Sequence, residues 1–178
     1  MRRRKKPART IPSATQFQYL AAQKHAFAAA GCPIISVDPK KKALIGNFKN
    51  AGHVWCQQPI EVSVHDFPGE ALGRAVPYGI YGLQHNQSAV NMGTSSDSLE
   101  FAVTAIAQWW ENIGRQAYPQ ARQLLILAEA GGSHGCRYRL WKAQLQNQLS
   151  DCLGLSVTVC HYPTGCTKCN PIEHRSFS

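Results

Sequence analysis

Short apolar runs alternate with longer amphipathic stretches along this chain. Two runs, 33–38 and 123–129, are apolar almost throughout and each ends in an acid, Asp38 and Glu129. Runs that are too short for a helix and bounded by polar residues are typical of strands buried on both faces. A third run at 155–160 has the same character. The pattern therefore predicts a sheet with buried central strands, two of which carry a carboxylate at their C-terminal ends.

Helical spacing of apolar residues marks four segments, at 13–30, 97–113, 137–149 and, as the start of a helix, 172–175. Gly31 and Gly114 are the expected stops of the first two, and Asp97 is an N-cap candidate for the second. Weaker strand patterns cover 78–83 and 89–93, with Pro77 and Gly79 read as turn residues. The order of elements predicts an α/β fold with a mixed sheet flanked by helices.

Charge adds a first indication of the partner. Nineteen Lys and Arg against ten Asp and Glu leave a net charge of +9, and six of the basic residues lie in the first nine positions. Four more lie close together, at Lys40, Lys41, Lys42 and Lys49. A basic balance of this kind favours a polyanionic partner such as DNA, because each neutralised phosphate releases counterions. A solvated basic surface without a specific partner is the alternative.

The chain has no run of the roughly 18 to 20 apolar residues that a membrane-spanning helix needs. Its basic N-terminus is not followed by the apolar segment of a secretory signal. We therefore expect a soluble, cytoplasmic protein that does not contact membranes and that associates with the nucleoid if DNA is its partner. Residues 1–12 are expected to form a flexible basic arm, 13–31 an N-terminal helix, and 32–178 one domain.

Seven cysteines at irregular spacings, without an export signal, argue against a disulfide framework, so we expect mostly packed thiols. Cys160, Cys166 and Cys169, with His161 and His174 nearby, leave a structural zinc site open as a minor alternative. Against zinc, the pair Cys166 and Cys169 has no second CxxC or HxxxH at zinc-finger spacing.

Three acids stand out by their context: Asp38 and Glu129 at strand ends, and Glu173 at the opening of the last helix. They are separated by 91 and 44 residues. If the two strands are neighbours, their carboxylates lie side by side, and the helix could bring the third. Clustered carboxylates repel one another unless a cation lies between them, and Mg²⁺ or Mn²⁺ prefers such oxygen ligands. Ordinary capping and turn acids are the alternative reading, and the spacing does not exclude it.

Several blocks of the sequence resemble, in collinear order, a family of bacterial insertion-sequence transposases, the Rhodopirellula-type DDE group. The blocks are 36–52, 64–68, 76–81, 100–103, 139–142, 159–163 and 170–175, within a match from about Gln16 to Ser178. The resemblance implies an RNase H-like fold and metal-dependent DNA strand cleavage and transfer at transposon ends. It also implies Mg²⁺ or Mn²⁺ as cofactor, transposon and target DNA as partners, and a homo-oligomer when the two ends are paired.

Position by position, Asp38 matches the family's first acid and Glu173 its last. Both are then expected to be catalytic and to bind metal, together with Glu129. The basic residues Lys40, Lys41, Lys42 and Lys49 are expected to contact the DNA backbone, and His134 is a further candidate for a phosphate contact, although a solvent-exposed loop histidine is the commoner case.

Three positions depart from the family pattern: Glu129 replaces an Asp, Ser95 replaces an acid, and Cys169 replaces a Trp. The added methylene of Glu129 would shift its carboxylate relative to Asp, and Mg²⁺ tolerates little distortion of its coordination. Family members also continue past their last acid, whereas this chain ends five residues after Glu173. We therefore expect a catalytic domain that is incomplete at its C-terminal end and whose activity is reduced or lost. The alternatives are a DNA-binding remnant without catalysis and another RNase H-like nuclease.

Overall fold

The computed structural model describes residues 14–40, 43–49, 55–65, 67–94, 99–130, 138–163, 166 and 169–175. Within these ranges the chain forms one six-stranded mixed sheet with helices on both faces. The predicted arm at 1–12, the N-cap candidate Asp97 and the loop that contains His134 lie outside the described residues.

The sheet is built from an antiparallel half and a parallel half that meet at its central strand. Its strands are β1 (Ile34–Pro39), β2 (Ala43–Ile45), β3 (Gly73–Gly82), β4 (Gln87–Gly93), β5 (Gln123–Glu129) and β6 (Ser156–Tyr162). The order is β2-β3-β1-β5-β6, and β4 also pairs with β3. β1 is antiparallel to β3 and parallel to β5, which is in turn parallel to β6. The predicted mixed sheet is therefore confirmed.

Five α-helices of the described part of the chain flank the sheet: α1 (Ala14–Ala29), α2 (Leu99–Trp109), α3 (Arg115–Ala117), α4 (Arg139–Leu145) and α5 (Pro171–Arg175). Wider π-type turns extend α2 through Trp110–Gly114 into α3 and extend α4 through Gln146–Asp151. A single 3₁₀ turn covers Pro68–Glu70. Within the described residues, no helix is long and apolar enough to cross a membrane.

The sheet separates two apolar cores. The larger core lies under α2 and α4 and contains Val37, Ile126 and Trp141. The smaller core lies under α1, whose Leu20 and Phe27 pack against the opposite face of β1, β5 and β6. Because β5 contributes to both cores, five of its residues in a row are buried, which explains why its sequence is apolar without alternation.

The proline at position 77 does not end a strand, contrary to our prediction of a turn there. β3 begins at Gly73 and continues through Pro77 and Gly79. The Pro77 carbonyl accepts a hydrogen bond from the Lys40 N–H at 2.8 Å, immediately beyond the end of β1. The proline nitrogen faces that same side, opposite Lys40 and past the last residue of β1, so the missing N–H falls at the end of the β1–β3 ladder and not within it.

Gly114 is likewise not the helix stop that the sequence predicts, because helical backbone continues to Ala117. A Cβ atom at position 114 would lie 2.5 Å from the Trp110 ring and 3.0 Å from the Trp109 ring. The glycine is therefore required by the close approach of two buried tryptophans and not by the end of a helix. Leu140, an apolar residue of the predicted helix at 137–149, does not join the core, because its side chain is 55% exposed.

Candidate functional site

The first two predicted acids lie at the same edge of the sheet. β1 and β5 are parallel neighbours, and Ile34, Ile35 and Ser36 pair with Leu125, Ile126 and Leu127 in turn. Two residues further along each strand, the same register places Asp38 opposite Glu129. Residues paired in this way point to the same face of the sheet, and neighbouring strands lie about 4.8 Å apart. The face is that of the smaller core, since Ile34 and Leu125 belong to it.

The third acid reaches this edge from a separate element. Glu173 lies in α5, which packs against β1 and β3. The Asn170 side chain, fully buried just before α5, bonds to the Ser36 hydroxyl and donates to the Val37 carbonyl at 3.4 Å. Its own carbonyl accepts from the Glu173 N–H at 3.2 Å. The buried asparagine therefore connects the start of α5 to the strand that carries Asp38.

The environment of Glu129 disfavours its charged form. Burial raises the pKa of its carboxyl, and the negative charge of Glu173 raises it further. Its Oε1 atom is covered and has no hydrogen-bond partner among the described residues. A covered carboxylate oxygen without a donor is unfavourable when charged, and a cation would relieve both the desolvation and the repulsion. The charge of Glu173 is therefore within electrostatic range of the Glu129 carboxyl.

The side chains at this edge have the right chemistry for a metal ion, but they do not form a complete set of ligands. Carboxylate oxygens are the ligands that Mg²⁺ and Mn²⁺ prefer, and the Oε1 atom of Glu129 is free to serve as one. Within the described ranges, however, no three His, Cys, Asp or Glu side chains are close enough together to hold one ion. The three acids, Asp38, Glu129 and Glu173, are therefore gathered at one edge of the sheet, the acidic edge, without forming a complete ligand set in this structure.

The raised pKa of Glu129 predicts how pH affects the stability of the metal-free protein. A carboxyl whose pKa is higher in the folded than in the unfolded state stabilises the fold below its ordinary pKa near 4.5. That contribution is lost as the pH rises through the raised value. Glu129→Gln should therefore increase Tm at pH 7, by on the order of 2 °C, and leave it nearly unchanged at pH 4. Differential scanning calorimetry at both pH values checks this, with the exposed Glu111→Gln as control; an equal shift at both pH values would contradict it.

The predicted DNA-contacting lysines are only partly described. Lys40 follows β1 directly and is exposed, as is Lys49. Lys41 and Lys42 lie outside the described residues, as does Ser95. Lys40 is close to the acidic edge in sequence and in space, because it follows Pro39 and bonds to β3.

The loop between β6 and α5 corrects the expectation that all cysteines are thiols. Cys166 and Cys169 form a disulfide, with their Cα atoms 5.4 Å apart, inside the usual range for such bonds. The turn between them closes through the Cys169 N–H and the Cys166 carbonyl at 2.9 Å. Four described cysteines remain thiols, namely Cys32, Cys56, Cys152 and Cys160.

Two polar residues of this region escaped the sequence prediction. Tyr162 pairs with Glu129 in the β5–β6 register, one residue pair after Ala128 and His161. The predicted strand at 155–160 ended two residues before Tyr162. Asn170 lay two residues before the predicted start of the last helix at 172. The signal that could have found it is its position before Pro171, since Asn followed by Pro is typical of a helix start.

A cavity of about 350 Å³ lies between α4 and β6. Val157, Val159 and His161 line it together with Trp141. These three β6 residues alternate with Cys160 and Tyr162 along the strand, so the cavity lies on the opposite face of the sheet from the acids. It is therefore not part of the acidic edge.

The arrangement of the sheet, its flanking helices and the acidic edge is that of an RNase H-like domain. Three solved structures share the fold over 99% of this chain: a pre-cleavage Mos1 transpososome, the Mos1 mariner paired-end complex with Mn, and the Mos1 transposase paired-end complex with left transposon end. Their TM-scores are 0.53, 0.53 and 0.50, and their sequence identities are 10%, 11% and 11%. Such low identity establishes the fold alone, and this chain spans 51–52% of the length of those chains.

The amino-acid sequence assigns the chain to a particular family, which the fold alone does not. Residues 1–178 match the family model described as the Rhodopirellula transposase DDE domain. The chain therefore belongs to this family of DDE transposases, as the resemblance indicated. No curated protein matches it.

Proposed function

We propose that this chain is the catalytic domain of a DDE transposase that cleaves DNA at the ends of an insertion sequence and joins them to target DNA. In this proposal Asp38, Glu129 and Glu173 hold one or two Mg²⁺ or Mn²⁺ ions. Residues 32–178 form the catalytic domain, preceded by the helix at 13–31 and the basic arm at 1–12. The protein acts in the cytoplasm, at the nucleoid.

The observation that carries the proposal is the convergence of three separate elements at one sheet edge. The β1–β5 register brings Asp38 opposite Glu129, and Glu173 is close enough to raise the pKa of Glu129. Three acids from sequence positions this far apart are brought to one edge of the sheet only by the fold. The resemblance of the sequence blocks to the DDE family supports the same three positions as catalytic acids, with Glu in place of Asp at position 129.

Each acid has a definable task in this chemistry. Asp38 and Glu129 project from rigid strand ends, which limits their movement and pre-organises them for a shared ligand. Glu173 approaches from α5, and the buried Asn170 limits where that helix can lie. When bound, divalent cations would supply Lewis acidity at the phosphodiester and stabilise charge on the attacking and leaving oxygens.

DNA is the proposed partner, supported by charge as well as by family. The chain carries a net charge of +9. Lys40 and Lys49 are exposed, and Lys40 lies directly beyond the strand of Asp38. We include Lys41 and Lys42 in the proposed backbone contact on sequence grounds. The Mos1 structures are paired-end complexes, and we extend that assembly to a homo-oligomer of this protein on transposon ends.

A calorimetric Mn²⁺ titration tests the metal site, with the parent chain, Glu129→Asp and Asp38→Ala compared under identical conditions. We expect Asp38→Ala to abolish binding, because it removes one of the oxygen ligands and one of the negative charges that attract the cation. Glu129→Asp should bind more tightly than the parent, by about 10-fold or more, because it restores the carboxylate position of the family.

The outcomes separate the readings of this chain. Binding by Glu129→Asp alone would mean that the site exists and that one methylene disables it. Binding by the parent that is lost in Asp38→Ala would mean an intact site. If none of the three proteins binds Mn²⁺, the metal site is wrong, and DNA binding without cleavage becomes the better account.

A further inference from the structure

Asp38 and Glu129 form a row across two neighbouring strand ends, and Tyr162 extends this row by one strand. The β5–β6 register pairs it directly with Glu129, whose other neighbour in the row is Asp38. Side chains paired in parallel strands project from the same face of the sheet. Asp38, Glu129 and Tyr162 therefore form one row across the C-terminal ends of three adjacent strands.

Two polar atoms of this row are buried without a hydrogen-bond partner among the described residues. They are the Oε1 atom of Glu129 and the hydroxyl oxygen of Tyr162. One is an acceptor and the other is a donor, and their backbones are register neighbours. Buried polar groups are rarely left unpaired. An unpaired buried group therefore needs a specific explanation.

Packing alone does not account for the tyrosine. Its side chain is 3% exposed and belongs to the smaller core with Leu20 and Phe27 of α1. Gln16 of the same helix donates to the neighbouring His161 carbonyl at 3.0 Å, so α1 covers this end of β6. A phenylalanine would fill the same space without burying an unsatisfied hydroxyl.

The tyrosine is suited to act as a donor. Burial, together with a smaller contribution from the charge of Cys160, raises the pKa of Tyr162 to about 12, so the hydroxyl keeps its proton at any physiological pH. Ligating carboxylates are commonly held by a hydrogen bond to the oxygen that does not bind the metal, and loss of that bond costs about 10- to 100-fold in metal affinity.

We propose that Tyr162 is a positioning residue for Glu129, donating its hydroxyl hydrogen to one carboxylate oxygen while the other oxygen binds a divalent cation. The inference rests on the metal site of the proposed function and adds to it. The hydrogen bond fixes the rotamer of the longer Glu side chain, which has one more rotatable bond than the Asp that the family carries at this position. Both unpaired atoms are satisfied in the cation-bound protein.

Tyr162→Phe tests this, with Tyr81→Phe as the matched control. Tyr81 is also buried on a strand, but its hydroxyl already bonds to Asn86 at 2.8 Å, at the β3–β4 turn. We expect Tyr162→Phe to weaken Mn²⁺ binding by about 10- to 100-fold in a calorimetric titration, with Tm of the metal-free protein unchanged or higher. Tyr81→Phe should bind Mn²⁺ like the parent and lower Tm by about 2–4 °C.

Equal Mn²⁺ affinity in Tyr162→Phe and in a parent that binds the ion would overturn the positioning role and leave the proposed function intact. A Tyr162→Phe protein that loses Tm and Mn²⁺ affinity together, as a damaged core would, also overturns it. If the parent itself does not bind Mn²⁺, the positioning role of Tyr162 is overturned, and Mn²⁺ binding by Glu129→Asp then decides separately whether the metal site of the proposed function exists.

Discussion

Replacing Asp38 by Asn should reduce metal-dependent DNA cleavage by this chain about 1,000-fold or more, the largest effect that we expect from any single substitution. The change keeps the size and the hydrogen-bonding capacity of the side chain but removes its charge. Loss of a metal ligand at the reacting phosphate forfeits several kcal/mol of transition-state stabilisation, and about 4 kcal/mol corresponds to a factor of 1,000. Nicking of supercoiled plasmid DNA in the presence of Mn²⁺ measures the loss.

The control for this experiment is Glu111→Gln, which neutralises an exposed carboxylate far along the chain in the turn after α2. It should cleave at the rate of the parent. Both variants should unfold at temperatures close to that of the parent, since Asp38 lies at a strand end and not in either core. Undiminished nicking by Asp38→Asn would remove this residue from the catalytic site.

Asn170→Ala should have the largest effect on stability, with a loss of about 1–3 kcal/mol in the free energy of unfolding. The side chain is fully buried and bonds to Ser36 and to the Val37 carbonyl. Alanine leaves both partners unsatisfied in the interior of the protein. At about 2–4 °C per kcal/mol, the expected decrease in Tm is roughly 2–12 °C by thermal unfolding.

A double-mutant cycle separates the free energy of the Ser36–Asn170 hydrogen bond from the cost of the lost side-chain volume. Ser36→Ala combined with Asn170→Ala should cost less than the sum of the two single changes, because neither partner is then left without the other. Asn147→Ala, at an exposed position in the extension of α4, should change stability by less than about 0.5 kcal/mol. Strict additivity of the two buried changes would show that the Ser36–Asn170 bond contributes nothing.

The central strands were predictable from sequence because burial on both faces leaves a clear pattern. Both ends of β5 were predicted correctly, and each end of β1 was predicted to within one residue. β3 was predicted too short, because proline and glycine are read as turn residues whether or not their N–H groups would meet a neighbouring strand. Pro77 is tolerated because β1 ends beside it, and the length of a neighbouring strand is not encoded locally.

The acidic edge was predictable in part for the same reason. Two acids at the ends of adjacent parallel strands must meet, so only the pairing of β1 with β5 had to be assumed. The approach of Glu173 depends instead on α5, whose position is determined by the buried Asn170 and Ile172. The role of Tyr162 was missed because it depends on the register of β6 relative to β5, and periodicity gives no information on register.

The central position of β5 has a consequence for the order of folding. β3 and β4 form a hairpin through local contacts, and β1 pairs with β3 across 39–47 residues. β5 instead pairs with β1 across 91 residues, the costliest loop closure among the strand pairs described. A nascent or partly folded chain can thus hold its hairpin while Asp38 remains without Glu129. Divalent cations that bridge these acids would bind only after β5 has inserted, so they should slow unfolding much more than they accelerate folding.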